Sequence, residues 1–345
     1  MAKGFFVALL VALGITPVVR RLALRTGTVE HPNERRIKKG IIPTAGGVAI
    51  VLSFWAGALA SGLLGQETLA LLLGTIIILI TGIIDDRREL RPLSKLIGQV
   101  GAAVIVALGG VRIEFVTNPF GGMWYLGWLS IPATVLWIVA ITNMINFIDG
   151  LDGLAAGVSA IACAPLLLVA LQMGHLDAAA MTIALAGAAL GFLRYNFNPA
   201  QIIMGDTGAL FLGFTLAVVS VLGAMKGAAT VAMAIPALAL GLPIFDTTCV
   251  VIRRVRNGKP FYEADSSHLH HCLLAEGFSQ RQVVGVLYGV ACGLGAAAVV
   301  VAFSSKVMAL TILLGVVFTA VSVARRLPGV SSQSSPGSGH NGLSL

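Results

Sequence analysis

The chain has 345 residues, of which 57% are hydrophobic and only 11% charged, with a formal net charge of +8. A globular chain is about 25% charged, so this composition excludes a soluble domain around one core and points to a polytopic membrane protein in a lipid bilayer. The excess of positive charge does not signal nucleic acid either, because the Lys and Arg residues fall between apolar runs, where they set topology.

A spanning helix takes roughly 17–25 mostly apolar residues. Such runs are expected near 4–24, 44–64, 67–84, 96–110, 129–146, 154–174, 178–195, 207–225, 228–252, 282–303 and 306–324, about eleven transmembrane helices in an all-α fold. With the N-terminus outside and the C-terminus cytoplasmic, 19 of the 23 Lys and Arg lie on the cytoplasmic side, and only Lys3, Arg112, Lys226 and Lys306 fall outside. Most of the positive charge near the first run follows it, which argues against a cleaved signal peptide. Residues 1–327 read as one transmembrane domain, and the Ser- and Gly-rich tail 328–345 as disordered. Four scattered cysteines do not suggest a disulfide framework.

Taken in chain order, the first connection (29–50) is basic and ends in Pro-Thr-Ala-Gly-Gly, whose small residues suit close helix packing. Asp85 and Asp86 close the third run. Two adjacent carboxylates do not both ionise cheaply without a cation nearby, and Lys95 can supply one if the fourth helix packs alongside. The pair suits a base acting on an acidic substrate or a divalent-ion ligand; a solvated helix end paired with Arg87 and Arg88 explains it as well. Residues 111–128 alternate, then carry Asn-Pro and Gly-Gly, so a short outer hairpin is expected, with Trp124, Tyr125 and Trp128 in an interfacial aromatic belt.

The stretch "NMINFIDGLDGLAAG" (143–157) sets Asn143, Asn146, Asp149 and Asp152 three residues apart between two uncharged runs. If the fifth helix continues, Asn143 and Asn146 share a face, and Gly150 and Gly153 let both aspartates stay near it. Hard oxygen and amide groups of this kind suit Mg²⁺ better than zinc; an Asn- and Asp-rich turn is the plainer alternative. Asp206 opens the eighth run in Gly-Asp-Thr-Gly, where it serves either as a helix cap or as a metal ligand that anchors a phosphate. In 253–274, a basic loop suited to diphosphate precedes His268, His270 and His271, with Cys272 adjacent. Zinc is a weaker reading there, since pairs on one helix face want an i,i+4 spacing.

The acidic residues and histidines of these motifs all fall at the cytoplasmic edge. A transporter or flippase holds its charges nearer the bilayer midplane, on broken helices within repeats. An enzyme working at the inner interface fits better.

The ordered set Pro-Thr-x-Gly-Gly, Asp-Asp, Asn-x-x-Asn-x-x-Asp-Gly-x-Asp-Gly, Gly-Asp-Thr-Gly and His-x-His-His, over about 29–282, resembles the polyprenyl-phosphate N-acetylhexosamine-1-phosphate transferases. "PFYEADSSHLHH" and "PIFDTTCVVIRR" look like the GlcNAc-1-phosphate branch, which starts cell-envelope polysaccharides such as O-antigen or the teichoic-acid linkage unit. The alternative branch is the phospho-MurNAc-pentapeptide transferase of peptidoglycan synthesis. The resemblance implies transfer of GlcNAc-1-phosphate from UDP-GlcNAc to undecaprenyl or another polyprenyl phosphate, releasing UMP. It further implies Mg²⁺, with Mn²⁺ as a substitute, held by Asn146 and Asp206. Asp85 is implied as the base on the lipid phosphate, with Asp86 beside it and Lys95 on phosphate. Asp149 and Asp152 are implied near the diphosphate or nucleotide, one as a candidate nucleophile; Asn143 joins the substrate-binding set, and His268, His270 and His271 contact diphosphate and sugar. A homodimer is a further expectation. Lys38 and Glu30 stand where the family usually has His and Asp, which bears on sugar and acceptor preference.

Overall fold

The computed structural model describes residues 1–30, 42–117, 122–224, 233–258 and 268–326. Lys38, residues 259–267 with Lys259 of the basic loop, and the tail 328–345 lie outside the described residues.

Helices dominate in the order α1 (Ala2–Thr26), α2 (Gly46–Ala60), α3 (Gln66–Arg88), α4 (Pro92–Leu108), α5 (Ser130–Ile148), α6 (Leu154–Gln172), α7 (Leu176–Asn196), α8 (Gly205–Ala224), α9 (Ala234–Ala239), α10 (Gly241–Arg256), α11 (Leu269–Ala275), α12 (Gln280–Phe303) and α13 (Lys306–Arg326). Among the described residues, eight helical segments, comprising α1, α3, α5 with the 3-10 turn before it, α6, α7, α8, α12 and α13, are long and apolar enough to cross a membrane; α2 and α4 are shorter apolar helices. The chain is a multi-pass, all-α membrane protein.

The ninth expected run does not form one rod. Leu240 ends α9 and begins α10, and Pro243 three residues on has no N–H to offer the Ala239 carbonyl. The single span expected at 228–252 is therefore corrected to two helices with a break at Leu240, while 225–232 lie outside the described residues.

Two small antiparallel pairs decorate the bundle. β1 (Val29–Glu30) pairs with β2 (Ile42–Pro43), and β3 (Phe115–Thr117) pairs with β4 (Met123–Tyr125). The second is the expected hairpin, with Phe115 opposite Tyr125 and Val116 opposite Trp124. Trp124, Tyr125 and Trp128 are exposed, as residues of an interfacial belt would be.

α8 is the hub. It packs against α5, α3, α6, α2 and α7, and 89% of its apolar window is buried. A helix apolar on all sides belongs in the middle of a bundle. α13 is the opposite case, with 6% of its window buried, packed against α12.

Candidate active site

Everything at the site converges on the N-terminus of α8. The preceding loop is tied to the start of α2: Gly46 and Gly47 N–H groups donate to the carbonyls of Ile203 and Met204, at 3.0 and 2.8 Å. A Cβ on Gly47 would collide with the Gly208 backbone, and one on Gly82 with Thr207. The Pro-Thr-Ala-Gly-Gly motif is thus a packing device, in keeping with the helix-packing reading. Gly205 enters α8 at φ +68°, and a Cβ there would lie 2.6 Å from Asp86 Oδ1.

The free N–H groups of α8 go to a side chain from another helix. Asp86 Oδ1 accepts from Asp206 N–H at 2.6 Å, and Oδ2 accepts from Thr207 N–H at 3.2 Å and from Thr207 Oγ1 at 2.6 Å. A carboxylate at a helix N-terminus satisfies orphan donors and meets the positive end of the dipole. Asp86 therefore caps α8, and Asp206 is released from that duty.

Beside it, Lys95 binds three groups from three helices. Its Nζ lies 2.8 Å from Asp85 Oδ2, 2.6 Å from Asp206 Oδ1 and 3.2 Å from Asn146 Oδ1. Asn146 Nδ2 also donates to Asp206 Oδ1, at 2.5 Å. Asp85, only 6% exposed, uses its other oxygen to accept the Leu90 N–H at 2.8 Å just past the end of α3. Glu89 ends that helix in the left-handed region and Pro92 starts α4, so the turn carries Lys95 back to Asp85. The structure therefore brings Asp85, Asp86, Lys95, Asn146 and Asp206 together, with the Asp85 and Asp206 carboxylates on one ammonium and Asp86 on the N–H of Asp206. The Asp206 side chain is 37% exposed, more open than Lys95 at 16% and Asp85 at 6%.

Asn143, one turn deeper, points elsewhere than the sequence suggests. Its Nδ2 donates to Gln99 Oε1 at 2.6 Å and to the Val139 carbonyl, and Gln99 Nε2 returns a bond to Asn143 Oδ1 at 3.2 Å. Gln99 is 1% exposed, so this clasp joins α4 to α5 in the interior.

The two aspartates of the Asp-Gly-x-Asp-Gly turn part company. Asp149 caps the C-terminus of α5 and is half-buried. Asp152 is buried, and its Oδ2 accepts from Ala200 N–H at 3.0 Å and Asn198 Nδ2 at 3.2 Å. The expectation that both stay near the Asn146 face is corrected. Gly153, at φ 81°, swings the chain into α6, so Asp152 braces the loop between α7 and α8.

The histidines also take separate places. His268, the N-cap of α11, has Nδ1 2.8 Å from Asp246 Oδ2, while Asp246 Oδ1 accepts the Leu269 N–H at 2.7 Å. His270 is 2% exposed, and a Cβ on Gly150 would run into its Nε2, so glycine there makes room for the ring. Burial, reinforced by His271, pushes His270 down to about 4, which leaves it neutral. His271 is exposed, its ring centroid 4.2 Å from that of His270. Among the described residues, no group of three or more His, Cys, Asp or Glu side chains is arranged to hold a metal unaided. A divalent ion at Asp206 would take further oxygens from its substrate.

Two contributors escape the sequence reading. Gln99 shares a helix face with Lys95, four residues before it. Asp246 is a lone carboxylate in the apolar run Leu-Pro-Ile-Phe-Asp, and such isolation is itself a signal.

The chain is similar to known proteins. A family model described as glycosyl transferase family 4 matches residues 68–224, which span α3 to α8 and hold every residue of the Lys95 cluster. A probable undecaprenyl-phosphate N-acetylglucosaminyl 1-phosphate transferase of Bacillus subtilis is 44% identical over 287 residues, 83% of this chain and 80% of the relative. A decaprenyl-phosphate N-acetylglucosaminephosphotransferase of Mycobacterium tuberculosis is 36% identical over 304 residues, 79% of this chain and 75% of its own. A phospho-N-acetylmuramoyl-pentapeptide-transferase of Shouchella clausii is 33% identical over 302 residues, 81% of this chain and 90% of the relative.

Proposed function

The chain belongs to glycosyl transferase family 4, and from that premise we propose that it transfers GlcNAc-1-phosphate from UDP-GlcNAc to undecaprenyl phosphate, releasing UMP. The sugar and the lipid follow the relative at 44% identity rather than the pentapeptide transferase at 33%. The observation that carries the chemistry is the Lys95 cluster, where the Asp85 and Asp206 carboxylates, from α3 and α8, both contact one ammonium, and Asp86 is hydrogen-bonded to the Asp206 N–H.

Both reactants are anions, so repulsion has to be lowered before a phosphate can attack a diphosphate. Asp206, open on one side, and Asn146 would hold Mg²⁺, which supplies charge neutralisation of the diphosphate; Mn²⁺ would serve in its place. Lys95 orients the lipid phosphate. As that anion draws Nζ away, Asp85 Oδ2 loses its partner and takes the phosphate proton. The lipid phosphate oxygen then bonds to the sugar-bearing phosphorus, the diphosphate bridge breaks, and UMP leaves with the bridging oxygen. Asp86 keeps α8 and hence Asp206 in place. Asp149 and the histidine loop border the nucleotide-sugar side, with His271 the exposed ring. The reacting face is cytoplasmic, on the strength of 19 of 23 basic residues expected on that side.

The test is UMP release by purified protein with undecaprenyl phosphate and Mg²⁺. UDP-GlcNAc is expected to support turnover. Release with UDP-MurNAc-pentapeptide alone would move the chain to the other branch, and release with neither would remove the enzymatic reading.

A further inference from the structure

His268 belongs to the substrate-facing loop on the reading above, and the structure adds a residue behind it. Asp246 lies within α10 and is 2% exposed. Burying a carboxylate is costly unless hydrogen bonds offset it, and here two do. Oδ1 takes the Leu269 N–H at 2.7 Å, and Oδ2 faces His268 Nδ1 at 2.8 Å. Capping α11 needs one acceptor, which Asn would supply as well. Aspartate offers something more, a second acceptor aimed at the imidazole.

The proton on that imidazole is assigned by its partners. A carboxylate only accepts, so Nδ1 carries the hydrogen and Nε2 is the nitrogen left for a ligand. The ring plane is fixed independently: it stacks on His270, centroids 5.7 Å apart at 12°, and lies 6.0 Å from Phe147. His270 is in turn seated on Gly150. The side chain of His268 keeps 11% of its surface open.

We propose that Asp246 is a positioning residue, holding His268 as the Nδ1–H tautomer so that Nε2 is its ligand-facing, proton-exchanging atom toward the nucleotide-sugar. Asp246→Asn isolates this role. The Leu269 N–H can only donate, so it claims the Asn oxygen, and the Asn amide is left to donate to Nδ1. The cap and the side-chain size survive while the imidazole proton is forced to Nε2, inverting the tautomer.

The experiment is ¹⁵N NMR of the full-length chain labelled at histidine, in detergent micelles without substrate, with the His268 signals identified by their loss in His268→Gln. The wild type is expected to show the Nδ1–H pattern and Asp246→Asn the Nε2–H pattern. UMP release by Asp246→Asn is expected to fall by more than about tenfold in kcat, with its thermal midpoint near wild type. An Nε2–H tautomer in the wild type overturns the proposal, as does an inverted tautomer with unchanged kcat, or an unchanged tautomer in Asp246→Asn. The wild-type spectrum decides the tautomer even if the variant does not fold. It needs no substrate, so failure of the UDP-GlcNAc reading is a separate result.

Discussion

Lys95 sets one positive charge against Asp85 and Asp206, with Asp86 hydrogen-bonded to the backbone of the latter. Such a centre is tuned for anions and cations to arrive together, and its members are separable by substitution. Asp206→Asn and Asp85→Asn are each expected to lower kcat by more than about 100-fold while folding normally. Steady-state UMP release and thermal unfolding check this, and near-normal kcat in either variant contradicts its role. Asp152→Asn should behave differently, because its carboxylate braces the loop through Ala200 and Asn198. It is expected to lose stability and keep measurable turnover, whereas complete loss of kcat in a stable protein would restore it as a nucleophile. His270 gives a pH signature. Its pKa falls from 6.5 to about 4 on folding, so the unfolded chain binds the proton first. Stability from this group is full above 6.5 and is lost as pH drops toward 4, by up to about 3 kcal/mol. His270→Gln should flatten the acid limb of the thermal midpoint against pH; an unchanged limb would assign it to other groups.

At the scale of elements, the site depends on how α4, α5 and α8 are held in register. Lys95 and Gln99 are one turn apart on α4, and Asn143 and Asn146 nearly one turn apart on α5. The Gln99–Asn143 clasp therefore fixes the height at which Lys95 meets Asn146. Gln99→Leu leaves a buried amide half-satisfied, which costs about 1–3 kcal/mol, and shifts the two helix ends that carry the reacting groups. Turnover is expected to fall about tenfold, and Gln99→Leu with Asn143→Leu should cost less than the two single losses added together. Strict additivity in that cycle would mean the two amides act apart. The same scale explains the ninth run. Its hydropathy marks a span, but Pro243 and Gly241 interrupt the helix and direct α10, with Asp246 on it, toward the histidine loop.

For the whole molecule, α8 is the axis and α13 the rim. Truncation after residue 305 removes a helix that is 6% buried over its apolar window. It is expected to leave the protein folded and turning over, as read by size-exclusion in detergent and UMP release; loss of both would give α13 a structural role.

Apolar run length was enough to locate a helix at ten of the eleven expected runs, eight of them long enough to cross a membrane and two, α2 and α4, shorter. Asp85, Asp86, Lys95, Asn146 and Asp206 were legible for a related reason. Polar groups at the ends of apolar helices are costly unless used, so they stand out in the sequence. Which of them touch was not legible. Asn143 and Asp152 share the residue types and spacing of Asn146 and Asp149, yet one is clasped by Gln99 and the other by Ala200. Asp246 and Gln99 lie far along the chain from their partners, and only packing across helices brings them into contact. That the chain is a membrane bundle with polar groups at helix ends is readable from residue order, since hydrophobicity and spacing are local properties. Tertiary structure alone decided which carboxylate caps a helix, which faces an ammonium and which braces a loop, because a side chain's role is set by the neighbour it meets.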